Sequence, residues 1–315
     1  MAHVACLGEL LVDFVPPEAA DIRHAESFRR AAGGAPANVA VGLARLGVPS
    51  AFIGQVGDDG FGRFLADTLR EEGVDVGPLR LTSRAATRLA FVSLAADGER
   101  DFMFYGNADQ MLAPEDIDEA GVAAARLLHF GSISLIAEPS RSATLHAIAL
   151  AERHGRLISY DPNLRLSLWP DPDAARAGLR LGLAHAHVVK IAEAELAFLT
   201  GLSDPLAGAR ALWRDPLRLL VVTCGARGCL WVTAEAEGAV PGMAVNAIDA
   251  TGAGDAFTAA LLAGLIEAGP AFERQTLDRI CRAANVAGAL ATTSRGAIPA
   301  LPRRTVLDAA LRQAL

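Results

Sequence analysis

Six short runs of nearly continuous apolar residues, at 3–8, 51–56, 127–131, 157–161, 188–191 and 219–223, are separated by stretches whose apolar residues recur at helical spacing. A strand that is apolar at successive positions must be buried on both faces. Such strands interleaved with helices form a mostly parallel sheet with a helical layer on each side. Pro36 opens a helix over 37–46 in which Val39, Leu43 and Leu46 share a face, and Gly47 stops it. Further helices are expected over 60–72, 139–154, 172–183, 193–200, 255–267 and 272–291. The fold class is α/β.

A chain of 315 residues accommodates one large α/β unit with a small appendage. Its 52% hydrophobic and 21% charged content suit a compact enzyme rather than a disordered or fibrous chain. The formal net charge of -7 argues against nucleic acid or an anionic membrane as the main partner, since both are bound through clustered Lys and Arg. Glu9 and Asp13 interrupt the first apolar run and no basic leader precedes it, so neither a signal nor a transit peptide is expected. The weakly polar stretch 256–266 is too short to span a bilayer, and a cytoplasmic location is expected. Cys6, Cys224, Cys229 and Cys281 form no CxxC pair and read as reduced core thiols, without a zinc site.

Two regions, about 13–32 and 87–107, break the alternation. They read as antiparallel strands, with a turn signal at 96–99 and no intervening helix. Two readings stand: an extension of the main sheet's edge, or a small separate sheet covering a cleft or a partner.

The segment Asp249-Ala-Thr-Gly-Ala-Gly-Asp-Ala-Phe257 precedes a helix of small residues. Glycines at a helix start let backbone N–H groups converge on an anion, and the helix dipole favours negative charge there. Asp255 then either caps the helix or accepts a hydroxyl proton during phosphoryl transfer, while the amides of Gly252, Ala253 and Gly254 hold the transferring group. No P-loop occurs, and Phe257 stands where a dinucleotide fingerprint needs Gly or Ala. A second glycine segment, Gly33-Gly-Ala-Pro-Ala-Asn38, also opens a helix, and Asn38 offers both donor and acceptor to a polyol. Asp13, Asp161 with Arg165, and Thr223 with Gly225 and Gly228 stand at strand ends, where open α/β sheets bind ligands. Asp161 and Arg165 forming a surface salt bridge is the alternative there. In Lys190-Ile-Ala-Glu-Ala-Glu195, Glu195 either binds magnesium through water or sits on a solvated helix face.

Together, Gly33-Gly-Ala-Pro-Ala-Asn38 and Asp249-Ala-Thr-Gly-Ala-Gly-Asp255 resemble the two signatures of the ribokinase-like (PfkB) carbohydrate kinases, in order and separation, and within that family the chain is most similar to fructokinases. The resemblance covers nearly the whole chain. It implies a single kinase domain over 1–315, Rossmann-like (ribokinase-like), with a small β lid inserted in it that closes over the sugar and pairs with a second subunit. It further implies Asp255 as catalytic base, Gly252, Ala253 and Gly254 as the anion hole, and sugar contacts from Asp13, Gly33, Gly34, Asn38, Phe104 and Arg165. Lys190, Glu195, Thr223, Gly225, Gly228 and Asn285 fall to the nucleotide, Glu195 to Mg2+ through water, and Asp249 with Thr251 to a monovalent cation such as K+.

Two positions depart from the family pattern: Ala192 replaces the Asn of its Asn-x-x-Glu element, and Gly106 replaces the Arg of Phe-Tyr-Arg-Asn. The implied reaction is ATP-dependent phosphorylation of a hexose, D-fructose first. A 2-keto-3-deoxygluconate kinase, whose acid substrate Arg165 or Arg88 would meet, comes next, followed by a ribokinase or nucleoside kinase. A non-catalytic sugar or nucleotide sensor is the alternative of another class.

Overall fold

The computed structural model describes residues 3–16, 22–94, 100–269 and 272–313. Among them the strands form two sheets. The larger has nine strands, in the spatial order Glu237–Val240, Cys229–Val232, Leu219–Thr223, Val188–Ala192, Leu157–Asp161, Leu127–Gly131, Val4–Leu7, Ser50–Gly57 and Leu79–Thr82. All pairings are parallel except those made by Cys229–Val232 and Glu237–Val240.

The apolar runs behave as their composition requires. Val4 and Cys6 join a core on one face of the sheet, and Ala5 and Leu7 join a second core on the other. Alternation within a single strand thus feeds two layers, which is why both phases of these strands are apolar. The helices Ser140–Arg153 and Pro172–Leu183 contribute to the second core, and Ala35–Arg45, Ala253–Ala268 and Arg274–Ala291 to the first.

Three strands fall outside the runs read from the sequence. Leu79–Thr82 exposes its two central residues at an edge, and Cys229–Val232 with Glu237–Val240 forms an antiparallel extension at the other edge. Edge strands need not be apolar on both faces, so the signal that marks the central strands is missing there. The expected helix at 272–291 begins at Arg274.

The smaller sheet has the order Arg29–Gly33, Leu11–Val15, Leu89–Leu94, Arg100–Tyr105. It is separate from the main sheet, which decides between the two readings of these segments. Its central pairing, Leu11–Val15 with Leu89–Leu94, is parallel, whereas antiparallel strands were expected throughout. The turn signal at 96–99 lies outside the described residues. Asp13 does not simply follow the first strand: the chain passes through Gly8 and Glu9 and places Asp13 inside Leu11–Val15.

One helix, which follows the 249–252 segment, lies at the centre of the packing. Ala253–Ala268 is Ala- and Leu-rich all round and buried almost throughout, as a helix without a polar face must be. It packs closely because small residues face it. A Cβ on Gly42 would stand 2.6 Å from that of Ala259, and one on Gly264 would stand 2.9 Å from Ile280 side-chain carbons. Gly42→Val is therefore expected to force apart the Ala35–Arg45 and Ala253–Ala268 helices and cost about 1–3 kcal/mol in urea denaturation. Unchanged stability would contradict this packing.

Candidate active site

Asp255 lies in the first turn of the Ala253–Ala268 helix and is 7% exposed. It does not cap that helix, which has no side-chain cap. Its Oδ2 instead accepts a hydrogen bond from Asn38 Nδ2 at 2.8 Å. Asn38 stands in the first turn of Ala35–Arg45, so one bond joins the two glycine-led helix starts across 217 residues of sequence. First-turn N–H groups have no intrahelical acceptor. Gly252, at φ 79, turns the chain into this start, where a Cβ would meet Ala297 Cα at 2.9 Å.

A second network lies beneath. Lys190, in the middle of Val188–Ala192, donates to Asp161 Oδ2 at 3.0 Å, and Thr258 donates to the same oxygen at 3.0 Å. Lys190 Nζ also lies 3.0 Å from where a Cβ on Gly254 would stand. The glycine thus lets an ammonium sit directly under the loop that would hold an anion. Asp161 is 3% exposed and its ion-pair partner is Lys190, which corrects the surface salt bridge with Arg165. Arg165 is half-buried and its charge acts on Asp255.

Glu195 is not on a solvated face. Its Oε1 accepts from Leu164 N–H at 2.7 Å and its Oε2 from Ala192 N–H at 2.9 Å, tying the loop after Leu157–Asp161 to the start of Glu193–Thr200. Each oxygen keeps a lone pair for a metal-bound water, so the residue fits an outer-sphere divalent cation.

The second glycine segment meets the small sheet. A Cβ on Gly33 would lie 2.2 Å from Asp13 Oδ2, and one on Gly34 would lie 2.3 Å from Glu9 O. Asp13, Gly33, Gly34 and Asn38 are thereby brought together. Phe104 belongs to the same surface by register: Asp13 pairs with Ala90, and Ala90 with Phe104, which puts the three on one face of the small sheet.

Thr223, Gly225 and Gly228 stand at the end of the adjoining strand, Leu219–Thr223, and in the turn after it. Gly228 has φ 99, and a Cβ there would strike Val240 O at 2.1 Å. Arg227 pairs with Glu193, joining this turn to the helix start that Glu195 organises. Asn285 spends its amide donors on Val240 O at 3.0 Å and Pro241 O at 3.1 Å, so it shapes the wall of the neighbouring loop. Asp249 accepts from Thr251 N–H at 2.9 Å and Thr251 Oγ1 at 2.7 Å, and from Gly296 N–H at 3.0 Å. Among the described residues no group of three or more His, Cys, Asp or Glu side chains is placed to hold a metal ion, and no helix is long and apolar enough to cross a membrane.

Residues 1–304 match the model of the pfkB family carbohydrate kinases. The chain belongs to this family. It is 46% identical over 304 residues to Fructokinase-1 of Oryza sativa subsp. japonica, covering 95% of this chain and 94% of that protein. It is 47% identical over 305 residues to Fructokinase-2 of Zea mays, covering 95% and 91%. Its structure matches the fructokinase of Vibrio cholerae O395 in fructose, ADP and calcium ion bound form at a TM-score of 0.89 and 40% identity, covering 99% of each chain. The fructokinase of Xylella fastidiosa with bound ATP matches at a TM-score of 0.91 and 34% identity, covering 100% of this chain and 99% of that one.

Electrostatics in this carbohydrate kinase centre on buried acids. Burial pushes the Asp255 carboxyl up to about 6; the Asn38 hydrogen bond opposes this, Asp161 adds to it, and Lys190 and Arg165 oppose it. Glu9, which the motif reading left out of the site, is 3% exposed and is pushed up to about 7, by burial first and then by the charges of Asp109 and Asp255. Its Oε1 accepts the Ala35 N–H at 2.8 Å, so it anchors the start of Asn38's helix. Burial works to lower Lys190, but Asp161, Glu195 and Asp255 outweigh it and hold the ammonium charged.

Because the folded carboxyl of Asp255 sits above its ordinary 3.8, its contribution to stability is fully present below about 4 and is lost as pH rises through about 6. Above that the ionised group is a burden on the fold. Asp255→Asn is thus expected to raise unfolding free energy by about 1–3 kcal/mol at pH 7.5 and by less at pH 4.5. Urea melts at the two pH values check this, and an equal or negative change at pH 7.5 would contradict it.

Proposed function

We propose that this kinase transfers the γ-phosphoryl of ATP to the primary hydroxyl of D-fructose, giving fructose 6-phosphate and ADP. The observation that carries the reading is a buried carboxylate, Asp255, that leaves its own helix start uncapped and is aimed by Asn38. The similarity to plant and bacterial fructokinases over nearly the whole chain supports fructose as the acceptor.

In this reading the sugar lies between Asp13, Gly33, Gly34, Asn38, Phe104 and Arg165. Its hydroxyl proton passes to Asp255 as the oxygen attacks phosphorus and ADP leaves. Amides of the Gly252–Gly254 turn and the Lys190 ammonium stand where negative charge develops on the phosphoryl group. Thr223, Gly225 and Gly228 line the nucleotide, with Asn285 shaping the adenine wall. A magnesium ion, held through water by Glu195, supplies charge neutralisation when bound. Asp249 and Thr251 mark the start of a site for a monovalent cation such as potassium.

We read the small sheet as a lid that keeps water from the phosphoryl group. Its other face carries Phe14 stacked on Phe91 with Tyr105 edge-on, and Tyr105 and Met103 are 54% and 40% exposed, which supports lid-to-lid pairing in a homodimer. We place the enzyme in the cytoplasm.

An acidic sugar fits less well. Arg88 is 4% exposed and its charge is paired with Asp109, whose two oxygens its Nε meets at 2.8 Å, although its buried Nη2 has no hydrogen-bond partner. At Gly106 a Cβ would lie 2.3 Å from Thr87 O at φ 73, so this backbone has no room for an arginine there.

An ADP-release assay with fructose, 2-keto-3-deoxygluconate, ribose and adenosine is expected to favour fructose. Asp255→Asn is expected to lower turnover on it by about 10²–10⁴. Preference for the keto acid would overturn the substrate, near-normal turnover of a folded Asp255→Asn would overturn the base, and fructose binding without ADP release would indicate a sensor.

A further inference from the structure

The N-terminal rim of the main sheet carries a feature that phosphoryl transfer does not use. Four neighbouring strands each begin directly after a basic residue: Arg126 before Leu127–Gly131, Arg156 before Leu157–Asp161, His187 before Val188–Ala192 and Arg218 before Leu219–Thr223. Parallel register brings these starts side by side, locked by Leu157 N–H to Arg126 O at 3.2 Å, His187 N–H to Ile158 O at 2.9 Å and Arg218 N–H to His187 O at 2.8 Å. All four residues line one cleft of about 420 Å³.

Among the described residues, none of the three guanidinium groups there has a carboxylate within ion-pair distance. Arg153, Arg176 and Arg210 elsewhere pair with Glu119, Asp173 and Glu237. Arg156 Nε is buried and has no hydrogen-bond acceptor. His187 Nδ1 accepts the Ile158 N–H at 3.0 Å, which leaves the proton of the neutral ring on Nε2 as a donor. The carboxylate on this rim, Glu152, makes its contact with His185 at 3.0 Å.

Cations at this end of an α/β sheet also complement the C-termini of the helices that lead into the strands. That role suits one exposed arginine per helix. It does not account for three unpaired guanidinium groups sharing a cleft, nor for a buried donor without an acceptor, which native proteins rarely leave unsatisfied.

We infer that this cleft is a second binding site, for a small phosphate-bearing anion, at the opposite end of the strands from the catalytic centre. Guanidinium groups and a neutral imidazole N–H are the donor set that phosphate oxygens accept, with bidentate geometry open to the arginines. The net charge of -7 means that this local positive field is not shared by the molecule as a whole. Leu157–Asp161 runs from this rim to Asp161, the ion-pair partner of Lys190, a span of about 15 Å at about 3.3 Å per residue. Occupancy of one end is thus one strand length from the other.

The test is calorimetric titration of the intact kinase with inorganic phosphate and with fructose 6-phosphate while ADP and fructose fill the catalytic cleft. Both probes are expected to bind. Arg156→Gln with Arg218→Gln is expected to weaken both by about tenfold or more, while ADP and fructose still bind and turnover without the anion is unchanged. Binding of fructose 6-phosphate without inorganic phosphate would overturn a site built for the phosphate group. So would loss of binding when the catalytic cleft is filled, or equal affinity in the folded double variant.

Discussion

The hydrogen bond from Asn38 to Asp255 is the constraint on which the site depends. It is made between side chains in the first turns of two helices, Ala35–Arg45 and Ala253–Ala268, so it holds only if both starts are fixed. Each start is fixed separately. Glu9 and the glycines at 33 and 34 position the first, and Gly252, Gly254 and the Asp161–Lys190–Thr258 network position the second. Gly42 against Ala259 then sets the distance between the helices. A carboxylate buried to this degree with one neutral donor is raised in pKa yet still ionised at neutral pH, the state a proton acceptor needs.

The arrangement concentrates acids in a small volume. Glu9 and Asp109 bear on one another, as do Asp255 and Asp161. Arg88 holds Asp109 and Lys190 holds Asp161, while Glu9 and Asp255 rest on amide donors. In the proposed reaction, separating ion-paired acids from amide-held ones leaves Asp255 available for a substrate proton. The fold carries the burden of that buried charge.

The central sheet was legible because strands buried on both faces are apolar at nearly every position, as Leu127–Gly131 and Leu219–Thr223 are. Leu79–Thr82 and Glu237–Val240 were not, because edge strands carry Arg80, Glu237 and Gly238 without penalty. The glycine-led motifs pointed to Asp255, Gly33, Gly34 and Asn38 because each segment opens a helix, although the bond that joins Asn38 to Asp255 is long-range. Asp161 with Lys190 was hidden for the opposite reason: the two are partners only because the register of neighbouring strands sets the last residue of one beside the middle of the other, 29 residues apart in sequence. Glu9 was hidden too, since an acid in an apolar strand-to-strand passage looks like an interruption until the Ala35 amide is seen beside it. Glu195 was found by motif, but its tie to the Leu164 and Ala192 amides is a tertiary fact.

The central claim is that Asp255 is the base and that Asn38 poises it. The pH dependence of kcat/KM for fructose, in the intact kinase and in Asn38→Leu, tests it most directly. The account predicts an acid limb near about 6 in the parent enzyme. In the variant that limb moves to higher pH, whatever the absolute rate, because the bond that lowers the Asp255 pKa is gone. A limb at the same pH in both enzymes, or none between pH 5 and 8, would contradict it.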